Sequence, residues 1–224
     1  FAPQTSGSIY AAFMVNASAA STTGDYFLHF YESSSLFHGR VYLKKDGSGN
    51  LAFGLARTSE TTTYTGFTYS TGTTHLIVVK YTFNGSALDD TVSLYIDPLS
   101  GGTEPTATLT AATVSVPDAV SIGGIALRQG GSFPTVLVDG IRVGTTWADV
   151  VNHTPTANSD VAGATQGQTV TLAGAKLTSN DSDADGDTLT ITAASATSGT
   201  ASAVSGNVQY IAPGSGTSDT ITYT

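Results

Sequence analysis

The chain has 224 residues, 40% of them hydrophobic and only 11% charged, with a formal net charge of -9 and no cysteine. That apolar share builds a real core and excludes wholesale disorder. The acidic balance offers no basic stripe to phosphates, which argues against nucleic acid as a partner, and the missing thiols exclude disulfide scaffolds, thiolate metal sites and cysteine nucleophiles. Charge is unevenly spread: residues 1–150 carry 7 Lys/Arg against 11 Asp/Glu, and residues 151–224 carry 1 against 6. No apolar run approaches the ~18 residues of a membrane span. No signal peptide is visible. The chain opens on Phe1 and closes on Thr224 inside a strand pattern, so it reads as a piece of a longer protein.

In chain order, residues 8–16 (SIYAAFMVN) are apolar on both alternating faces, which predicts a strand covered on both sides. Residues 25–31 (DYFLHFY) and 39–45 (GRVYLKK) follow, the latter with Val41 and Leu43 inward. The run Asp46-Gly47-Ser48-Gly49-Asn50 is hairpin chemistry, because Gly and Asn accept positive φ cheaply, and residues 51–57 (LAFGLAR) return from it. Residues 63–69 (TYTGFTY) form a weaker strand with Gly66 at its centre, a candidate bulge. The central hairpin pairs 76–83 with 92–96, two β-branched and aromatic runs around a turn-rich NGSALDD. Further strands are expected near 106–109, at 121–128 and at 136–143, with one helical turn at 147–151 packing the single Trp147. About ten short strands separated by turn signals predict a two-sheet sandwich.

The texture changes at residues 152–157 (NHTPTA): beyond it only Tyr210 and Tyr223 are aromatic. The expected domains are 1–152 and 153–224. The second has short alternating runs at 169–172, 188–191, 207–211 and 219–223, the pattern of an immunoglobulin-like module truncated at its last strand. Its sharpest feature is the acidic run Asn180, Asp181, Asp183, Asp185, Gly186, Asp187. Four carboxylates in seven residues repel one another unless a cation neutralises them. Ca2+ takes 6–8 oxygens at variable angles, and Gly186 permits the sharp turn. The loop is no EF-hand, since Thr192 stands where the bidentate Glu would fall. The competing reading is a solvated acidic turn, with Asn and Asp present for turn propensity.

The pieces HLIVVKYTFN, DTVSLYIDP, SIGGIALRQ and VLVDGIRVGTTWADVV, in that order, resemble the laminin G-like, concanavalin A-like jelly rolls of bacterial extracellular proteins. PTANSD, SNDSDADGDTLTI, VQYIAP and SDTITYT resemble cadherin-like, immunoglobulin-like tandem repeats of bacterial adhesins. The resemblances imply an all-β fold: a two-sheet jelly-roll sandwich, then a smaller immunoglobulin-like sandwich. They also imply a secreted or cell-surface location, adhesion, binding or spacing as the task, and calcium-stiffened modules. For Asp160 they imply a further Ca2+ ligand, although Ser159 replaces the aspartate common beside it. Asp139, in VLVDGIRV, occupies a place where jelly-roll relatives sometimes help hold structural Ca2+. Its other reading is a partner for a backbone N–H or for Arg142.

Catalysis is not expected. Laminarinase-type relatives of the fold carry E-x-D-x-E on one strand, whereas Glu32, Glu60 and Glu104 are isolated here. No G-x-S-x-G elbow is present, and His29, His38, His75 and His153 lack zinc spacing. The alternative function is a carbohydrate-binding accessory of a secreted depolymerase, which needs an aromatic platform with polar forks. Tyr64, Phe67 and Tyr69 are the candidates on one strand, with Tyr26, Phe37, Tyr42 and Arg40 elsewhere. The competing reading makes these rings core or cross-strand pairs. The expected partner is a glycan or another surface protein.

Overall fold

The computed structural model describes the whole chain apart from residues 34–35, 100–102, 113–114 and 133. It is all-β, a two-sheet sandwich followed by a smaller immunoglobulin-like one. Two compact units are formed, Phe1–Val151 and Asn152–Thr224.

The first unit holds β1 (Gly7–Ala19), β2 (Asp25–Ser33), β3 (Leu36–Lys45), β4 (Leu51–Ala56), β5 (Thr63–Tyr64), β6 (Thr74–Phe83), β7 (Thr91–Ile96), β8 (Leu109–Ala112), β9 (Gly124–Leu127) and β10 (Thr135–Gly144). They make two five-stranded sheets, ordered β10-β1-β6-β7-β8 and β5-β4-β3-β2-β9. All pairings within them are antiparallel. Between the sheets lie Ile9, Phe13, Phe27, Phe30, Val41, Leu43, Phe53, Leu55, Ile77, Val79, Tyr81, Val92 and Leu94, all essentially inaccessible to water. Each such side chain contributes about 1.5–3 kcal/mol by leaving water.

β6 explains why the central run is so uniformly apolar. Ile77, Val79 and Tyr81 enter the inter-sheet core, while Val78 on the opposite face packs with Tyr10, Tyr95, Trp147, Val150 and Val151. Two-sided burial removes the polar half of the alternation. The cover over that outer face is the expected turn: Val150 and Val151 donate backbone hydrogen bonds to the Trp147 carbonyl at 3.2 and 3.3 Å. The Trp147 ring meets Tyr95 edge-on at 4.8 Å and Tyr10 at 6.2 Å between centroids.

The hairpin joining β3 to β4 is tied by Asp46, whose Oδ1 accepts the N–H groups of Ser48 and Asn50 at 2.9 and 2.8 Å. The expected strand at 63–69 is shorter than its sequence pattern. Thr63 and Tyr64 pair with β4, the chain then turns, and Tyr69 returns as an isolated bridge to Leu51.

The second unit contains β11 (Thr169–Leu172), the single-turn helix α1 (Gly174–Leu177), β12 (Ala194–Ala196), β13 (Thr200–Val204), β14 (Asn207–Ile211) and β15 (Ile221–Tyr223). One sheet runs β11-β14-β13 and the other pairs β12 with β15. Leu177, Ile191 and Val208 centre a small core. The expected strand at 188–191 is irregular chain, although Ile191 is buried; the strands are β12 and β13.

Candidate functional site

The outward face of the second sheet is built by strand register. Tyr26 on β2 stands opposite Tyr42 on β3, Tyr42 opposite Gly54 on β4, and Gly54 opposite Tyr64 on β5. Three tyrosines therefore occupy one row spanning four strands, about 14 Å across. Ring centroids are 5.4 Å apart for Tyr26–Tyr42 and 6.3 Å for Tyr42–Tyr64. The second spacing is short for residues two strands apart. Gly54 allows it, since a Cβ there would lie 2.6 Å from Tyr64 Cε1.

Cations cross this row. Arg40, Tyr42 and Lys44 alternate along β3 with the core residues Val41 and Leu43, so all three point outward. Lys44 Nζ lies 3.8 Å from the Tyr64 ring centroid and 5.4 Å from that of Phe67. Arg40 Cζ lies 4.9 Å from Tyr26 and 5.9 Å from Phe37. Arg128 stacks on Tyr26 at 4.1 Å and pairs with Asp25 at 2.6 Å. His29 completes the face, tilted against Phe37 at 4.3 Å and Tyr26 at 5.6 Å. Burial, and the charges of Arg40 and Arg128 beside it, push His29 down to about 4, so the imidazole is neutral at neutral pH. Burial raises the Tyr64 phenol to about 12 and keeps it a hydrogen-bond donor.

Of the three aromatics named from one stretch of sequence, Tyr64 and Phe67 share Lys44. Tyr69 is elsewhere: it packs edge-on against Phe53 at 5.1 Å and His75 at 5.2 Å, against the inter-sheet core. The partners that complete the row, Tyr26 and Tyr42, come from two other strands. Only register brings them together, and no local spacing in the sequence encodes it.

The acidic residues of the second unit fall into two groups. Carboxylate oxygens of Asp183, Asp185 and Asp187 lie within 4.8 Å of one another. Asp183 Oδ1 accepts the N–H groups of Asp185 and Asp187 at 2.8 and 3.2 Å, and Gly186, at φ +74°, closes the turn onto the Asp183 carbonyl. Asp185 Oδ2 accepts the backbone N–H of His153 at 2.5 Å and lies 3.1 Å from its Nδ1. Among the described residues, the Asp187 carboxylate accepts no hydrogen bond. These three are the residues that could hold a hard cation, and their all-oxygen donor set fits Ca2+.

Asp160 and Asp181 form the second group, at the Tyr223 hydroxyl. That hydroxyl lies 2.9 Å from Asp160 Oδ2 and 3.4 Å from Asp181 Oδ2. Desolvation, then the hydrogen bond to Asp160, raise Tyr223 to about 12. Asp181 Oδ1 also accepts the Asn158 N–H at 2.7 Å, while Asn180 Nδ2 donates to the Ser159 carbonyl at 3.3 Å and its own carbonyl accepts Asn158 Nδ2 at 2.6 Å. The sequence run 180–187 is thus divided between a triad and a loop-pinning set. Asp139 lies in the other unit, exposed on β10, where it accepts the N–H of Gly140 at 2.8 Å.

One charged cluster has no local sequence signal. Asp89, Asp90 and Asp118 also bring carboxylate oxygens within 4.8 Å. Their neighbour is Arg57, wholly buried, whose Nη1 donates to Asp118 Oδ1 at 2.6 Å and whose Nη2 donates to the Val116 carbonyl. Asp90, also buried, accepts the Tyr81 hydroxyl and the Asn84 N–H, both at 2.6 Å. Here the guanidinium does the neutralising.

No curated protein matches the chain. Among solved structures it is similar to an endo-beta-1,4-glucuronan lyase from the fungus Trichoderma reesei, at 15% identity over 65% of this chain and 71% of that one, with a TM-score of 0.41. At that score the likeness bears no weight for the site. The bacterial Ig domain family model matches residues 152–224, the whole of the second unit.

Proposed function

We propose that the chain is a non-catalytic part of a secreted or cell-surface multidomain protein, in which the first unit binds a glycan on the outward face of its second sheet. The observation that carries this reading is the row Tyr26–Tyr42–Tyr64. Sugar rings present apolar C–H faces that stack on aromatic rings, while flanking polar groups take the hydroxyls. Asp25, the carboxylate bordering the row, is committed to Arg128, which favours binding over acid–base work. The second unit supports an accessory role, because bacterial Ig-like domains are typical of surface and extracellular chains. This reading is nearer to the carbohydrate-binding accessory than to a bare spacer.

The test is a glycan array probed with the full chain, wild type and Tyr42→Ala. Binding that Tyr42→Ala abolishes while the variant still unfolds cooperatively, with only the modest drop in melting temperature that losing a half-buried ring causes, is the expected result. A wild-type chain that retains no glycan, or a variant that binds as well as wild type, overturns the assignment.

Within the second unit, the triad Asp183, Asp185 and Asp187 is the place we propose for Ca2+. It is supported by the convergence of the three carboxylates and by the Asp187 oxygens, which have no protein donor among the described residues. The ion would neutralise the cluster and fix the loop; no catalytic step depends on it.

A further inference from the structure

We infer that the glycan taken by the outward face is an acidic polysaccharide, bearing a carboxylate or sulfate on its repeating sugars. This rests on the glycan reading above and adds the ligand's charge. The first observation is distribution. Residues 1–150 hold seven cations in an acidic unit, and three of them, Arg40, Lys44 and Arg128, stand on this one face.

The second observation is compensation. Arg128 is neutralised by Asp25. Arg40 and Lys44 meet rings instead, and among the described residues no carboxylate pairs with either. A cation that lacks a counter-charge within an acidic unit is suited to an anion from outside. A guanidinium fork also matches the paired oxygens of a carboxylate or sulfate.

The third is spacing. Arg40, Tyr42 and Lys44 follow one another at every second residue of β3, so a ring separates two cationic residues whose Cα atoms are about 13 Å apart. Charge, ring, charge is the complement of a chain of sugars with one anionic group each, the sugar stacking on Tyr42 while its neighbours' anions reach Arg40 and Lys44. Nucleic acid also offers stacking and negative charge. It packs phosphates much more densely and binds by neutralising many of them, whereas this face has two uncompensated cations on a chain of net charge -9.

The experiment measures binding of the full chain to four probes: polygalacturonate oligosaccharides, sulfated galactan oligosaccharides, neutral cello-oligosaccharides and a single-stranded oligonucleotide. We expect one of the two acidic glycans to bind at least about tenfold more tightly than the neutral one, with affinity falling as salt rises; which of the two wins separates carboxylate from sulfate. Arg40→Gln and Lys44→Gln should each weaken that binding about tenfold, lower the salt dependence, and leave the melting temperature within about a degree. Equal affinity for neutral and acidic glycans, unchanged by either substitution but lost in Tyr42→Ala, overturns the acidic inference and leaves the glycan reading standing. No binding to any glycan overturns both. An oligonucleotide that binds more tightly than every glycan replaces the ligand class.

Discussion

Gly54 is the residue on which the aromatic row turns. Its backbone needs no glycine-only angle; the space above it does, because Tyr64 Cε1, Tyr64 Cδ1 and Thr62 Cγ2 would all come within 3.0 Å of a new Cβ. Gly54→Ala should therefore cost only about 1–2 kcal/mol of stability, while tilting Tyr64 away from Tyr42 and Lys44. The expected signature is a small drop in melting temperature with a disproportionate loss of glycan affinity; parallel losses would mean that the row is mere packing. His29, on the same face, gives a pH test. Its folded-state value of about 4 lies below the ordinary 6.5 because burial and then Arg40 and Arg128 oppose the imidazolium. Above pH 6.5 it is neutral folded or unfolded, and its contribution to stability is fully present. As pH falls from 6.5 towards 4 the unfolded chain takes up the proton and the folded chain does not, so stability falls, by about 3 kcal/mol in the limit. Burial depresses buried His38 too, so it adds to the same trend. Urea midpoints of His29→Asn, measured from pH 7 to 4, should decline less steeply than those of wild type. Identical slopes would show that His29 titrates normally.

Single strands were legible where burial differs sharply between faces, and less so where it does not. The β6–β7 hairpin could be read because its β-branched runs flank turn residues. β12 and β13 could not: ASA and TASAV offer alanine and serine on alternating faces, a contrast too weak to show a period of two. The stretch at 63–69 reads as one strand because Thr and aromatic residues continue through it. The chain turns within that stretch, and so Tyr64 faces out and Tyr69 in. Arg57 marks the limit of local reading most clearly. It closes a strand pattern as an ordinary polar residue would, yet folding buries it and joins the end of β4 to the β6–β7 turn and to residues 116–118. Asp118 serves both sides, accepting Arg57 on Oδ1 and the Asp89 N–H on Oδ2 at 3.1 Å. Arg57→Met should destabilise the first unit by about 3–5 kcal/mol, because it strands carboxylates that have lost their counter-charge. Urea unfolding followed by Trp147 fluorescence measures this. A loss below about 1 kcal/mol would show that water or a bound cation, and not the guanidinium, satisfies the cluster.

At the scale of the molecule, the all-β class was legible in the short alternating runs and the turn residues between them, and a change of texture near residue 153 in composition, because aromatics build the first core and almost vanish from the second. The division of the acidic run was not legible. Spacing shows that Asp181, Asp183, Asp185 and Asp187 are near one another; it cannot show that Asp181 is drawn to Tyr223, fifteen strands into the chain, alongside Asp160. That division sharpens the calcium test. The second unit has a small apolar core centred on three residues and a single lysine against six aspartates. At ~1 mM Ca2+ and a dissociation constant of ~0.1 mM, mass action would add about 1.4 kcal/mol. For a unit of this size the gain should raise its melting temperature by roughly 5–10 °C. Asp183→Asn with Asp187→Asn should abolish the rise, and in chelator it should leave the unit no less stable, because it also relieves repulsion among the triad. Asp160→Asn should leave most of the rise intact, since Asp160 bonds to Tyr223 and is not one of the converging three. If instead Asp160→Asn removes the rise and the double variant keeps it, the ion sits at the Tyr223 group; if chelator and millimolar Ca2+ give the same wild-type melting curve, the backbone N–H groups of Asp185 and Asp187 and the contact with His153 are all that this loop requires.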